Sequence, residues 1–284
     1  MRGFNNPSRN LPSRRIQLQR IVASDLPSLD WALLKGVSRS FYLTLRALPA
    51  PVRESIALAY LLARLSDTIA DGANSDSERR LLARSQQVKG WLAASPDRGD
   101  IENVWRTIQN GQNFDRTRFS DPNAPPLSKE ELDLYTYLVA GCVGEFWTAL
   151  CAQRMPGFAS RPPDKMTALG IRFGKGLQLV NILRDRAVDS ASGRTYVPAE
   201  RTGEVLLDAR RHLQAARQYV DALKDFRLRV ACALPVHLAE ETLDLIERNP
   251  SGSRIKVPRS RVWCLLLRAT IQAAPLLSPW TRPG

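Results

Sequence analysis

Apolar residues recur at helical spacing along most of this chain, and the alternation typical of strands is almost absent. In residues 52–71, for example, Ile56, Ala59 and Ala63 follow one another at intervals of three and four and share one face of a helix. Gly72 follows this segment and is typical of a helix end. The pattern predicts an all-α protein.

The same periodicity places the other elements. Helices are predicted at residues 29–36, 42–48, 52–71, 77–94, 101–110, 128–154, 165–186, 204–223, 226–248 and 259–276. Residues 111–128, rich in Asn, Asp, Pro and Ser, are predicted to form a loop, and residues 190–204 another. Without a repeat or a low-complexity linker, we predict a basic arm at residues 1–25 and a single domain at residues 26–284.

Composition narrows the class of protein. With 284 residues, of which 44% are hydrophobic, the chain can bury a large core. Its four cysteines are widely spaced and predict free thiols rather than a metal site or disulfides. The net charge of +13 is compatible with an anionic partner. Because zinc-finger spacing, an aromatic RNA-binding strand and a glycine-rich phosphate loop are missing from the sequence, we predict no nucleic-acid partner.

Membrane-spanning and secretory patterns are also missing from the sequence. Residues 1–20 hold no apolar core of a signal peptide, and no uncharged apolar run reaches the ~18 residues of a membrane span. The nearest candidate, residues 262–277, is interrupted by Arg268 and Pro275. We therefore expect a cytoplasmic protein whose membrane contact, if any, is peripheral and at the inner face, with this helix as the candidate contact.

Two pairs of aspartates carry the candidate chemistry. Asp67 and Asp71 lie four residues apart in one predicted helix, and Asp185 and Asp189 have the same spacing in another. This spacing puts both carboxylates of a pair on one helical face, where they repel each other unless a cation lies between them. Mg²⁺ prefers oxygen ligands and usually takes one or two carboxylates together with substrate phosphates. The pairs predict Mg²⁺-dependent diphosphate chemistry in a helical cavity.

Polar residues near both pairs fit this prediction. Arg64 lies one turn before Asp67, where it suits a diphosphate oxygen, although a surface ion pair is the alternative. Gln178 and Asn181 extend the stripe that leads to Asp185 along an otherwise apolar helix. Aligned polar groups on an apolar helix need buried partners, so the stripe favours a ligand cavity over a solvated face.

Four short motifs occur in order between residues 37 and 198. They are Ser38-Arg39-Ser40-Phe41, the stretch from Tyr60 to Asp71, the stretch from Tyr135 to Glu145, and the stretch from Gly176 to Asp189 with Gly193-Arg194 and Tyr196-Val197-Pro198 after it. Together they resemble the squalene/phytoene synthase family, the head-to-head prenyl transferases. This chain has Ala70 and Val188 where the family often carries an acidic residue, so auxiliary contacts to metal or water are absent there.

The resemblance implies an isoprenoid-synthase-type helical bundle around a central apolar cavity. It implies Mg²⁺ ligands at Asp67, Asp71, Asp185 and Asp189, and a catalytic role for Tyr135 in proton removal. It also implies diphosphate contacts at Ser38, Ser40, Tyr60, Arg64, Gln178, Asn181, Arg184, Arg194 and Tyr196, and a tail pocket at Val139, Val143, Gly144 and Leu177. The purely structural alternatives are helix capping for the two serines, a core role for Tyr135 and close helix packing for the glycines.

The implied reaction condenses two farnesyl diphosphates through a cyclopropyl diphosphate, presqualene diphosphate, which NADPH then reduces to squalene. The Asp67-Thr68 pair resembles squalene synthases more than the other branches. Phytoene or dehydrosqualene synthesis without NADPH, and synthesis of presqualene diphosphate alone, remain alternatives, as does a C20 substrate. A non-catalytic membrane scaffold is the remote alternative.

Overall fold

The structure, a computed structural model, describes residues 29–38, 41–121, 123–249 and 257–274, and it describes Asp71 by its backbone alone. The predicted arm at residues 1–25 lies outside the described residues, as does Ser40. The prediction of one domain beginning at residue 26 stays a prediction.

The described chain is helical, as the periodicity predicts, and within it a single β-bridge, between Ala159 and Leu223, is the extent of β-structure. The helices are α1 (Trp31–Ser38), α2 (Phe41–Ala47), α3 (Ala50–Asp71), α4 (Asp76–Ala83), α5 (Ser85–Ala94), α6 (Arg98–Arg118), α7 (Lys129–Thr136), a π-helix (Tyr137–Gly141), α8 (Cys142–Arg154), α9 (Pro163–Ala191), a 3-10 turn (Ala199–Arg201), α10 (Thr202–Ala222), α11 (Phe226–Arg248) and α12 (Arg259–Ala273).

Local sequence signals explain several helix ends. Ser128 and Glu131 form the reciprocal capping box that opens α7, because each side chain accepts a hydrogen bond from the other's backbone N–H. Gly72 ends α3 with a φ of 81°, a conformation that residues with a Cβ rarely adopt. These ends were predictable because they depend on residues next to one another in the chain.

The prediction of a loop at residues 111–128 is wrong in its first half. Helix α6 continues to Arg118, and its buried stripe runs on through Gly111 to Asp115. The stripe begins with Ile101 and keeps helical spacing, so burial against the bundle outweighs the polar composition. The helix predicted at residues 77–94 is likewise two helices, which meet at Arg84.

A π-helix at Tyr137–Gly141 interrupts the long helix between Lys129 and Arg154, which the sequence predicts as regular. The wider turn re-aims the side chains on either side of it, and such turns are frequent at functional sites. This helix has the length and hydropathy to cross a membrane, with a mean of 1.2 over its most apolar window. However, it packs against α6 and α9 and contributes to the apolar core of the bundle.

Helix α9 occupies the centre of the bundle, where it packs against α8, α10 and α11. One apolar cluster gathers around α3, α8 and the start of α11, and a second gathers around the C-terminal half of α9. Leu177 contacts both clusters from the middle of α9. The polar stripe of α9 therefore begins where the two halves of the core meet.

Glycines let α9 touch the helix before it backbone to backbone. A Cβ on Gly144 would lie 1.9 Å from the carbonyl oxygen of Gly170, and a Cβ on Gly174 would lie 2.0 Å from that of Ala140. The backbone of α9 fills the volume that the missing side chain of Gly144 leaves, which fits the alternative of close helix packing, and the implied tail-pocket role of Gly144 stays a prediction.

We predict that Gly144→Ala destabilises the protein by about 2–4 kcal/mol, because two backbones must separate. Gly99→Ala is the matched control, since a Cβ there meets nothing within 4 Å. It should be neutral or stabilising by up to about 1 kcal/mol. Urea unfolding followed by circular dichroism measures both, and equal stabilities of the two variants would contradict the packing argument.

Candidate active site

The first aspartate motif lies in the last turns of α3 and is held by charged and amide partners. Arg64 Nη1 lies 3.2 Å from Asp67 Oδ2, and its Nη2 lies 2.9 Å from Glu78 Oε1. Gln112 on α6 donates its side-chain amide to the other oxygen of Asp67. The Nε of Arg64 is buried without a hydrogen-bond partner among the described residues. The Asp67 side chain is 39% exposed, so a ligand can reach it.

The second motif lies at the end of α9. Asp185 pairs with its neighbour Arg184, with 3.0 Å between Arg184 Nε and Asp185 Oδ1. Burial, reinforced by the negative charge of Asp185, raises the pKa of Asp189 to about 6, and Arg194 partly offsets the rise. The two carboxylates therefore repel each other, and a bound cation would relieve that repulsion.

The end of α9 turns the chain back toward this pair. Gly193, at a φ of 82°, donates its N–H to the Ser190 carbonyl, and the Arg194 N–H donates to the Asp189 carbonyl at 2.8 Å. This is the Schellman arrangement of a helix C-terminus. It places the Arg194 guanidinium 3.6 Å from the carboxylate of Asp115 on α6.

Stacked aromatic rings lie beside the second motif. The rings of Tyr135 and Tyr196 stack with centroids 5.2 Å apart. The Tyr135 hydroxyl donates to that of Tyr196 at 3.5 Å, and the Tyr196 hydroxyl donates to Asp115 at 2.5 Å. Burial is the main cause that raises the pKa of both tyrosines, so both remain neutral phenols. The three residues form a buried chain of hydrogen bonds that ends on a carboxylate.

Helix α6 joins the two motifs. Gln112 contacts Asp67 of the first motif, while Asp115, one turn later, contacts Arg194 and Tyr196 beside the second. Neither α6 residue is among the predicted site residues, because their segment is predicted as a loop. The signal that identifies them is the helical spacing that continues from Ile108 to Gly111 and Asp115.

The remaining implied contacts lie in several environments. Ser38 is buried and donates its hydroxyl to the Leu34 carbonyl within α1, and its implied diphosphate contact stays a prediction. Tyr60 stacks on Phe41 with ring centroids 5.1 Å apart. Gln178 and Asn181 are half-buried and hydrogen-bonded to each other at 3.4 Å.

The apolar residues implied for the tail pocket are partly buried between the clusters. Val143 packs against the first cluster, Val139 against the second and Leu177 against both. Val139 faces Gly111 on α6, where a Cβ would lie 2.6 Å from its side chain. These three stay candidates for contact with a prenyl chain.

A cavity of about 310 Å³ lies between the end of α9 and residues 194–199. Asp189, Arg194 and Tyr196 line it, and so does Arg186, which donates to the Thr202 hydroxyl at 2.7 Å. Two guanidinium groups and a carboxylate therefore face a space that can admit phosphate oxygens.

The carboxylates fit Mg²⁺ when it is bound together with substrate. Among the described side chains, which do not include that of Asp71, no three acidic, His or Cys groups are close enough to form a complete metal cage. Mg²⁺ usually needs one or two carboxylates with substrate phosphates. The repelling pair at Asp185 and Asp189 supplies two oxygen donors of that kind.

The family can now be identified. A family model described as squalene/phytoene synthase matches residues 34–204 and 202–262. The matched ranges cover most of the 284 residues, so this chain belongs to the squalene/phytoene synthase family of head-to-head prenyl transferases.

Three curated relatives carry different activities. The squalene synthase of Yarrowia lipolytica is 25% identical, with 84% of this chain and 66% of the relative aligned. The presqualene diphosphate synthase of Sinorhizobium fredii is 32% identical over 58% of this chain and 60% of the relative. The 15-cis-phytoene synthase of Synechocystis is 28% identical over 75% of this chain and 65% of the relative. The chain thus spans less than two thirds of each relative's length.

Solved structures share the fold. TcSQS in complex with the ligand BPH1237 superposes with a TM-score of 0.72 at 21% identity, over 90% of this chain and 89% of that one. A dehydrosqualene synthase in complex with a ligand gives a TM-score of 0.66 at 21% identity, over 89% and 97%. The all-α prenyl-synthase bundle expected from the resemblance is confirmed.

We predict that Tyr196→Phe costs about 1–3 kcal/mol of stability, because the buried Asp115 loses a hydrogen bond to its charge. Tyr42→Phe is the control, since no hydrogen bond of the Tyr42 hydroxyl occurs among the described residues. Urea unfolding measures both. A Tyr196→Phe variant as stable as the control would show that the bond contributes nothing.

We predict that Asp189→Asn raises the melting temperature of the metal-free protein at pH 7.5. The folded-state pKa of Asp189, about 6, lies above its ordinary value, so ionisation costs stability as pH rises through that interval. The gain should shrink as pH falls from 6 toward 4. Differential scanning fluorimetry across this range tests it, and a lower melting temperature at pH 7.5 would contradict the repulsion argument.

Proposed function

We propose that this chain condenses two farnesyl diphosphates head-to-head, with Mg²⁺, to presqualene diphosphate and reduces that product to squalene with NADPH. The observation that carries the proposal is the convergence of Asp185, Asp189 and Arg194 with the buried Tyr135–Tyr196–Asp115 chain at one end of α9. Anion-binding and proton-accepting groups lie there side by side, next to the apolar cluster around the C-terminal half of α9.

The aspartates and arginines would handle the diphosphate. Asp67, Asp71, Asp185 and Asp189 would hold Mg²⁺, which when bound neutralises the diphosphate and makes it a leaving group. Arg64 and Arg194 would give charge-assisted hydrogen bonds to its oxygens, with Tyr60, Gln178, Asn181, Arg184 and Tyr196 as positioning groups. Both arginines are already held near carboxylates, so little reorganisation is needed when substrate binds.

Cyclopropane formation releases one proton, and the tyrosine chain offers it a route. Because the phenol of Tyr135 is neutral, it would take a proton only while passing its own to Tyr196. Tyr196 would in turn donate to the carboxylate of Asp115. The allylic cation first adds to the double bond of the second substrate, and the coupled carbocation closes to the cyclopropane as it loses a proton. The balance is one proton transferred from this coupled carbocation to Asp115, with no free phenolate formed.

The fate of the product distinguishes the alternatives. Hydride from NADPH gives squalene, while loss of a proton gives dehydrosqualene, or phytoene from the C20 substrate. Presqualene diphosphate accumulates where the second ionisation does not occur. The Asp67-Thr68 pair supports squalene as the product. No described residue is assigned to NADPH, so the reduction step is tested by assays with and without NADPH.

The deciding experiment is product analysis by mass spectrometry. Purified protein receives Mg²⁺ and either farnesyl or geranylgeranyl diphosphate, with and without NADPH. Squalene formed only with NADPH supports the proposal. Dehydrosqualene or phytoene without nicotinamide would move the chain to the carotenoid branch, and presqualene diphosphate in every arm would limit it to the first step. No product from either substrate would favour the scaffold alternative.

We predict that Asp67→Asn and Asp185→Asn each lower turnover on the order of a hundredfold or more, because metal-assisted charge stabilisation is worth several kcal/mol. Both side chains are partly exposed, so the fold should persist, as checked by circular dichroism. Asp100→Asn, an exposed position in the first turn of α6, is the control with unchanged turnover. Wild-type rates in either site variant would refute the two-motif metal site.

A further inference from the structure

Helix α12 is apolar on two opposite faces. Leu265, Ala269 and Ala273 are buried toward α11. On the other side, Trp263 and Leu267 are each 61% exposed and Ile271 is 45% exposed. These three follow one another at intervals of four, so they form one continuous outward stripe, which we call the outer stripe.

The outer stripe is unusual within the described chain. Other large apolar residues are exposed there too, but singly on their helices, at Ile69, Leu134, Val188, Leu207 and Phe226. Scattered exposed residues of this kind are normal in a soluble protein, whereas a contiguous patch marks an interaction surface.

Arginines flank the outer stripe on both sides. At 100° per residue, Arg259 lies on one flank of the stripe, and Arg261 and Arg268 lie on the other. Arg261 pairs with Glu241 at 2.8 Å. Neither Arg259 nor Arg268 has an ion pair within the described residues, so their charges are available to an anionic partner. The net charge of +13 adds long-range attraction of the same sign.

The helix is fastened to the body of the protein at its C-terminal end. Arg229 of α11 donates to the carbonyls of Gln272 and Ala273, both at 3.3 Å, and His237 hydrogen-bonds the Gln272 side chain at 2.7 Å. A surface that binds the outer stripe would therefore hold the whole bundle without unfolding it.

We propose that the outer stripe lies on a bilayer surface rich in anionic phospholipid, with α12 parallel to the membrane plane. An apolar stripe sinks to the level of the acyl chains, and a tryptophan suits that interface. Flanking arginines reach phosphate groups while their stems stay in the apolar layer. The inference rests on these surface residues alone and stands whichever prenyl product the protein forms.

Cys264 provides a reporter beside the stripe. It is exposed, whereas Cys142, Cys151 and Cys232 are buried, so a maleimide dye sensitive to polarity labels it selectively. The labelled full chain is titrated with phosphatidylcholine vesicles that contain phosphatidylglycerol, and with phosphatidylcholine vesicles alone. A blue shift, and quenching by spin-labelled lipid, should occur with the anionic vesicles and be much weaker with the neutral ones.

Matched variants separate the stripe from its charges. Trp263→Ser with Leu267→Ser should lower partitioning into anionic vesicles at least about tenfold, and Leu207→Ser is the control for an exposed apolar residue. Arg268→Gln should lower it about fivefold, with Arg106→Gln as the control for an exposed arginine. Circular dichroism verifies that each variant is folded.

Three results would overturn the proposal. If the double serine variant partitions into vesicles as the wild type does, the outer stripe is not the membrane contact. Absence of any shift, with a dimer in light scattering that the double variant abolishes, would assign the stripe to a second copy of the chain. If the label is already blue-shifted without vesicles and vesicles do not change it, another segment of the same chain, such as residues 275–284, covers the outer stripe.

Discussion

The carboxylate of Asp115 is a buried charge. The hydrogen-bond donors that stabilise this carboxylate also set the geometry of the second aspartate motif. A buried carboxylate is costly unless charged or hydroxyl donors surround it. Tyr196 and Arg194 supply those donors from the segment after α9. That segment is thereby held over the end of α9, and the cavity beside Asp189 exists because it is held there. The same interaction that stabilises the fold thus defines the site.

Close packing in the centre of the bundle sets where the site can be. The contact between Gly144 and Gly170 brings α8 and α9 together at backbone distance, and the π-helix next to it alters the register of the helix that carries Tyr135. The close glycine contact keeps α9 fixed against α8. The side chains of the neighbouring π-helix stay only partly buried. A rigid scaffold with a less tightly packed middle suits the long apolar substrates of the proposed reaction.

Two features destabilise the protein when nothing is bound to it, one in the candidate active site and one on the surface of α12. Repulsion between Asp185 and Asp189 costs stability when no cation is present. The outer stripe of α12 leaves apolar area in water. Both costs are understandable if a metal–diphosphate complex and a lipid surface remove them, because natural proteins tolerate instability mainly where binding requires it.

Much of this protein was determined by its sequence alone, because the signals are local. Helical periodicity, the capping box at Ser128 and the spacing within each aspartate pair depend on residues close together in the chain, so the fold class and both motifs were predictable. The roles of Asp115 and Gly144 were decided only by tertiary structure. A polar segment became a helix end because the bundle buries it, and a glycine became a packing point because another helix's backbone occupies its space. Those outcomes depend on contacts between distant segments, which the order of residues does not reveal.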